Sequence, residues 1–289
     1  MGIDPSKVKE LRERTGLPMM ECKNALQEAG GDTDAAIDLL RKRGAKAQEK
    51  LAGRQATLGR VASSISDDGR VGVLVTLCCE TEPVSNNDNF VQFVESLPAV
   101  VAKERPADRE AFLQSPLPAG GPGAGNTVAG GITELVNQLR ENISLGEFAL
   151  FEADAIGQYV HFDNKKAAMV ALKGKTLSDD KVAEVGKDLC QHIVFHKPKA
   201  LSKDDLDPGF LAKEREILLE AAQNDPKNAK KPPEILVKII EGQMNKIAKE
   251  VCLLEQPFIK EEKSSVGNYL KSTGTGVSIE AFKYAATDI

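Results

Sequence analysis

The chain has 289 residues, of which 41% are hydrophobic, 28% charged and 4% aromatic, with no Trp. That is enough chain for a sizeable core divided among two or more domains. Its net charge of −5, pI near 5.5 and scarcity of rings argue against a nucleic-acid binder or a base-stacking platform. The charge is uneven: residues 1–60 carry 12 Lys/Arg against 9 Asp/Glu, so the head is mildly basic and the body acidic, a balance suited to a protein partner. Five cysteines at irregular spacing, none in a C-x-x-C pair, read as reduced thiols of a cytoplasmic protein. The N-terminus has no apolar leader-like core, and no segment reaches membrane-spanning length.

In chain order, Asp4 and Pro5 form an N-cap and first-turn pair that opens a helix over "SKVKELRER", with Val8 and Leu11 on one face. Gly16 and Pro18 break it. "MMECKNALQEAG" is predicted as a second helix, with Met19, Cys22, Leu26 and Ala29 at core spacing. Asp32 caps a third, and the head spans about 4–44. "AKAQEKLAGRQATLGR" continues as a charged, alanine-rich linker, part helix. From about residue 60 the period changes to two: "RVASSIS", a "DDGR" turn and "VGVLVTLCCET" predict a β-hairpin. A long helix starts at Asn87 or Asp88. Residues 115–131 are Gly/Pro/Ala-rich and predict a loop, followed by a helix over "ITELVNQLREN".

"LGEFALFEA" is then expected to open a second sheet-forming unit, with "GQYVHFD", "KKAAMVALKG" and an amphipathic helix, "SDDKVAEVGKDLCQHIVFH", after it. Residues 208–250 read as two helices joined by "DPKNAKK", short enough for an antiparallel hairpin. "CLLEQPFIK", a short helix "SVGNYLKST" and a strand "GVSIEAFKYAA" complete the chain.

Motifs for covalent or metal chemistry fail one by one. "KGKT" at 173–176 would need glycine at position 169 to be a phosphate-binding loop, and that residue is Met169. His192 and His196 are one helical turn apart, but Ile193 stands where H-E-x-x-H needs glutamate. No G-x-S-x-G elbow occurs. Strand alternation buries one of Cys78 and Cys79, so core packing is the simpler reading of that pair. No catalytic residue, metal or cofactor is therefore expected, and the chain does not read as an enzyme.

Two stretches carry a positive signal. "LRERTGLPMMECKNAL" (11–26) resembles the first signature of the elongation factor Ts family, guanine-nucleotide exchange factors for elongation factor Tu. Leu11, Arg12, Thr15, Gly16, Met19, Met20, Lys23, Ala25 and Leu26 fit, and Pro18 departs. The family's second signature reads roughly E-L-N-C-E-T-D-F-V-A-R-N, where this chain has "TLCCETEPVSNN". Leu77, Cys79, Glu80, Thr81, Val84 and Asn87 fit; Thr76, Cys78, Glu82, Pro83, Ser85 and Asn86 depart. Further similarity in "ENISLGEFAL", "GQYVHFDNKKAAMVALKG" and "EGQMNKIAKEVCLLEQPFIK" extends it over nearly the whole chain.

The resemblance implies an α+β fold. Its parts are a three-helix head of ubiquitin-associated (UBA-like) type with its linker (1–58), a core N-subdomain (59–145), a core C-subdomain in two parts (146–207 and 251–289), and a protruding antiparallel coiled-coil hairpin (208–250). The extra C-terminal helical module of many bacterial members is expected to be missing or vestigial. The implied partner is elongation factor Tu, with no direct nucleic-acid or membrane contact, and with the hairpin available for higher-order assembly. Arg12, Met19, Met20 and Lys23 would dock the head on the GTPase, although Met19 equally fits the head's own core. Glu82, Pro83 and Val84 would form the exchange crest. Glu82 and Pro83 stand in place of the family's Asp-Phe, whose ring inserts near the Mg²⁺ side of the GTPase and disturbs Mg²⁺ and phosphate contacts. Tyr159 and His161 would meet another GTPase domain or pair on a sheet face. Phe258 and Ile259 would lie near the docking surface or in the core. An alternative within the same resemblance is a paralogue that binds the GTPase but exchanges weakly.

Overall fold

The computed structural model describes residues 3–119, 121, 123, 125–175, 180–224 and 232–287. Helices α1 (Pro5–Thr15), α2 (Met19–Glu28) and α3 (Thr33–Leu51) make the head. Their ends follow the local chemistry. The Asp4 carboxylate accepts from Ser6 N at 2.9 Å, Gly16 closes α1 at φ 66°, and Asp32 accepts from Asp34 N and Ala35 N at 2.9 and 3.0 Å. Val8, Leu11, Leu17, Cys22, Ala25, Leu26, Ala36 and Leu40 fill its core. Met19 is not among them: it is 53% exposed at the first position of α2, one turn ahead of the buried Cys22. α3 takes in much of the expected linker, ending at Leu51.

Strands β1 (Leu58–Ile65), β2 (Val71–Cys79) and β3 (Ser144–Glu152) form one antiparallel sheet in the order β1-β2-β3. Between β2 and β3 run α4 (Glu82–Ser85), α5 (Asp88–Glu104), α6 (Arg109–Gln114) and α7 (Val128–Leu139). "LGEFALFEA" was expected to open the second sheet; it completes the first, because Val73 and Val75 lie opposite Leu150 and Phe148 and give β2 a second apolar partner. Residues 115–131 also differ from a simple loop. Thr127 caps α7 by accepting from Gly130 N at 3.2 Å, so the helix begins inside the glycine-rich stretch. A Cβ on Gly131 would lie 2.4 Å from Phe93 Cε2, so glycine here serves the close approach of α7 to α5.

A second sheet, in the order β4-β5-β8, contains β4 (Ala155–Val160), β5 (Lys166–Lys173) and β8 (Ser278–Ala286). Helices α8 (Asp180–His196) and α11 (Val266–Ser272) cover one face, and α9 (Pro208–Asn224) and α10 (Pro233–Val251) pack on each other as a separate pair. The "DPKNAKK" connection lies outside the described residues. β6 (Pro257–Phe258) and β7 (Glu261–Ser265) make a short ribbon. No helix among the described residues is long and apolar enough to cross a membrane.

The sheets meet face to face. Strict alternation along β5 sends Ala168, Val170 and Leu172 toward α8, and Ala167, Met169 and Ala171 into a seam with Val61, Leu74, Ile156 and Ala285. Small residues set its spacing: a Cβ on Gly72 would lie 2.5 Å from Ile156 Cγ2. On the opposite face, α8 touches β4 at Gly157 and Gly186, where a Cβ on Gly157 would lie 2.6 Å from Gly186 Cα.

His192 ties the returning chain to α8. It is fully buried; Nε2 shares a hydrogen bond with Gln256 Oε1 at 2.9 Å, and Ile259 N donates to Nδ1 at 3.2 Å. The ring is therefore neutral, with its proton on Nε2, and neither nitrogen is left for a metal. Gln256 in turn donates to Glu250 O at 2.6 Å, joining α8 to the end of α10.

Two outcomes follow. Replacing Gly157 with Ala forces backbone away from backbone and is expected to lower unfolding stability by about 3 kcal/mol, measured by urea denaturation. Burial lowers the His192 pKa from 6.5 to about 4. Below pH 6.5 the unfolded chain takes up a proton that the folded ring refuses, so stability is lost as pH falls from about 6.5 to 4. The loss is expected to exceed that of His192→Gln by about 3 kcal/mol over the same range.

Candidate functional site

The crest at residues 80–87 is built by strand-end and helix-start chemistry. β2 ends at Cys79, whose side chain is fully buried and donates to Thr81 O at 3.3 Å. Burial, reinforced by the nearby Glu141 carboxylate, pushes the Cys79 thiol up to about 12, so it is a packing group and not a nucleophile. Cys78 is half-buried, as alternation requires. The chain then makes the single turn of α4, with Pro83 in its first turn, where a missing N–H costs nothing. Asn87 caps α5 by accepting from Asn89 N at 3.0 Å.

Three outside groups hold this turn. The Glu141 carboxylate accepts from Glu80 N, Thr81 N and Thr81 Oγ1 at 3.1, 3.0 and 2.5 Å. Arg60 donates to Ser85 O at 2.9 Å and to Asn86 Oδ1 at 3.0 Å. Lys165, in the β4–β5 turn, pairs with Glu82 Oε1, while Ser85 Oγ donates to Glu82 Oε2 at 3.1 Å. The bond from Lys165, ahead of that from Ser85, holds the Glu82 carboxyl below its ordinary range. Glu82 and Pro83 are exposed and Val84 is buried, so the crest presents its acid and its ring to solvent while the valine anchors it in the core.

The head is joined to the same place. Gln138 near the end of α7 donates to Thr15 O at 2.6 Å, and Arg140 pairs with Glu21 of α2. Arg140 has φ 61°, the left-handed turn that ends α7, and the next residue is Glu141. Adjacent side chains thus hold the head and the crest. Arg12, Met19, Met20 and Lys23 remain exposed, Met20 at 62%.

In the second half, Tyr159 OH and His161 Nδ1 are hydrogen-bonded at 3.0 Å, and both rings are half-buried. With Ile259, Phe195, Lys166 and Lys197 they line a surface groove of about 450 Å³. Phe258 takes the other of its two readings. It is 1% exposed and stacks on Tyr269 with ring centroids 3.9 Å apart, in the core under α8 and α11. Asp188 beneath it accepts from Tyr269 OH at 3.1 Å and Lys260 Nζ at 2.5 Å.

Sequence reasoning missed Arg60, Glu141 and Lys165. Each is an ordinary charge in its local pattern, and its crest partner lies 25 to 83 residues away. Among the described residues, no cluster of His, Cys, Asp and Glu could hold a metal ion.

Comparison with known proteins gives a consistent answer. The sequence profile described as "Elongation factor TS" matches residues 80–287, beginning at the crest. "Elongation factor Ts" of Alkalilimnicola ehrlichii is 37% identical over 280 residues, covering 96% of this chain and 90% of its own length. The protein of the same name from Azoarcus sp. is 40% identical over 277 residues, covering 96% of this chain and 88% of its own. That from Cytophaga hutchinsonii is 36% identical, with 97% of each chain covered. These alignments take in the head as well as the core, and the chain belongs to the elongation factor Ts family.

Proposed function

We propose that the chain is the guanine-nucleotide exchange factor of elongation factor Tu, acting by binding energy alone. The carrying observation is the crest: an exposed acid and proline on a turn fixed from three sides and tied through adjacent residues to the head. An exchange factor of this kind binds the nucleotide-free GTPase more tightly than the nucleotide-bound form. By linkage it weakens nucleotide to the same degree. A coupling of about 4 kcal/mol corresponds to roughly a thousandfold.

In this reading the UBA-like head docks through Arg12, Met20 and Lys23, with Met19 beside them as an adaptable apolar contact. Glu82 and Pro83 reach the Mg²⁺ and phosphate side of the nucleotide site, while Val84 keeps the crest seated. Tyr159, His161 and Ile259 meet a second domain of the GTPase. α9 and α10 are the protruding antiparallel coiled-coil hairpin, and their exposed Ile217, Leu219, Ile235 and Val237 offer a surface for assembly of two complexes. Fixing the crest before binding supports the reading physically. Ordering a flexible loop on docking would subtract from the coupling, and most of this turn's backbone polar groups near Thr81 and Ser85 are already engaged.

Stopped-flow release of a fluorescent GDP from elongation factor Tu tests it. Release is expected to accelerate by about two to three orders of magnitude at saturating chain. Release at the spontaneous rate would overturn the exchange function. Met20→Ala is expected to raise the concentration giving half-maximal acceleration about tenfold, through loss of one exposed apolar side chain that docking buries.

A further inference from the structure

Ten phenylalanines occur in the chain, and eight are buried or half-buried. The other two are Phe162 at 87% exposure, which ends a row of ring contacts, and Phe195 at 69%, whose ring meets His196. Phe195 lines the groove with Tyr159 and His161. Tyr159 meets His161 edge-on with centroids 6.0 Å apart, and His161 packs against Phe162 at 4.5 Å. Chance scatter of surface rings gives no reason for such a row in a chain this poor in aromatics.

The exposed end of the row sits beside the crest. Phe162 is in the β4–β5 turn, closed by bonds from His161 N to Lys166 O at 2.8 Å and from Asn164 N to His161 O at 2.9 Å. Asn164 at φ 56° makes the turn's left-handed step. That turn is fastened to the first half twice, by Val61 N donating to Asn164 O at 2.8 Å and by Lys165 pairing with Glu82 of the crest. The ring of Phe162 is thus carried on a short, fixed turn whose neighbour is Glu82.

We infer that Phe162 is an anchoring contact for the same GTPase that the crest engages, joining the crest and the Tyr159–His161 groove into one continuous surface. The inference rests on the reading under Proposed function, because the occupant is the crest's own partner. Its physical basis is that a rigid aromatic side chain, preplaced and largely hydrated in the free protein, gains most when an interface desolvates it. Pro83 presents little apolar area of its own, so the crest's neighbourhood otherwise lacks such an anchor.

The experiment compares Kd for nucleotide-free elongation factor Tu, by calorimetry, among the full-length wild type, Phe162→Ala and Phe162→Tyr. The alanine variant is expected to bind about tenfold more weakly and the tyrosine variant within about twofold of wild type. Its melting temperature is expected to be unchanged, since the side chain is exposed. A tightly binding wild type with an alanine variant inside twofold of it overturns the aromatic contact alone. A wild type that does not bind overturns both the contact and the exchange function.

Discussion

The arrangement of the functional surface depends on the seam between the two sheets. Leu74, Ile156 and Met169 interlock there, and Gly72, Ala167, Ala171 and Ala285 keep the sheets close. Each large side chain contributes about 1.5–3 kcal/mol by leaving water. Direction matters more than amount. With the seam fixed, the β4–β5 turn comes to rest against β1, and Lys165 reaches Glu82. A slip of β5 by one residue against β4 and β8 would turn every one of its side chains to the other face, and the seam and the α8 core would be lost together. The register within the second sheet therefore sets the seam and the α8 core at once.

The crest is held differently. Its ion pair is exposed and in water contributes little by itself. The bonds that matter satisfy backbone: Glu141 takes two N–H groups, and Arg60 donates to a carbonyl. Such bonds fix the path of the chain, which a side-chain pair on the surface does not. They leave the outward groups of Glu82 and Pro83 ordered in position while their outer faces stay hydrated.

Much of this was legible in the sequence because it is local. Asp4, Asp32 and Asn87 announce their helices, the "DDGR" turn its hairpin, and the apolar run in "KKAAMVALKG" a strand. What was not legible depends on partners distant in the chain. β3 reads like the start of a new unit because a strand's pattern gives its faces, not its neighbour. The start of α7 is hidden because glycine signals both a turn and a close approach, and only Phe93 decides between them. Phe258 and Met19 each had two readings: a ring over Tyr269 settles the first, and the 53% exposure of Met19 the second. The second signature located the crest, but Arg60, Glu141 and Lys165, which brace it, carry no local pattern.

The junction at Arg140 and Glu141 bears on how the molecule can vary. One side chain grips the head and the next grips the crest, so the distance between these elements is measured across a single peptide bond. The covalent path from head to core, beyond Leu51, is pinned at the same place: Asn142, the residue after Glu141, donates to Arg54 O at 2.7 Å. An insertion or deletion at the end of α7 would therefore put head, tether and crest out of step at once.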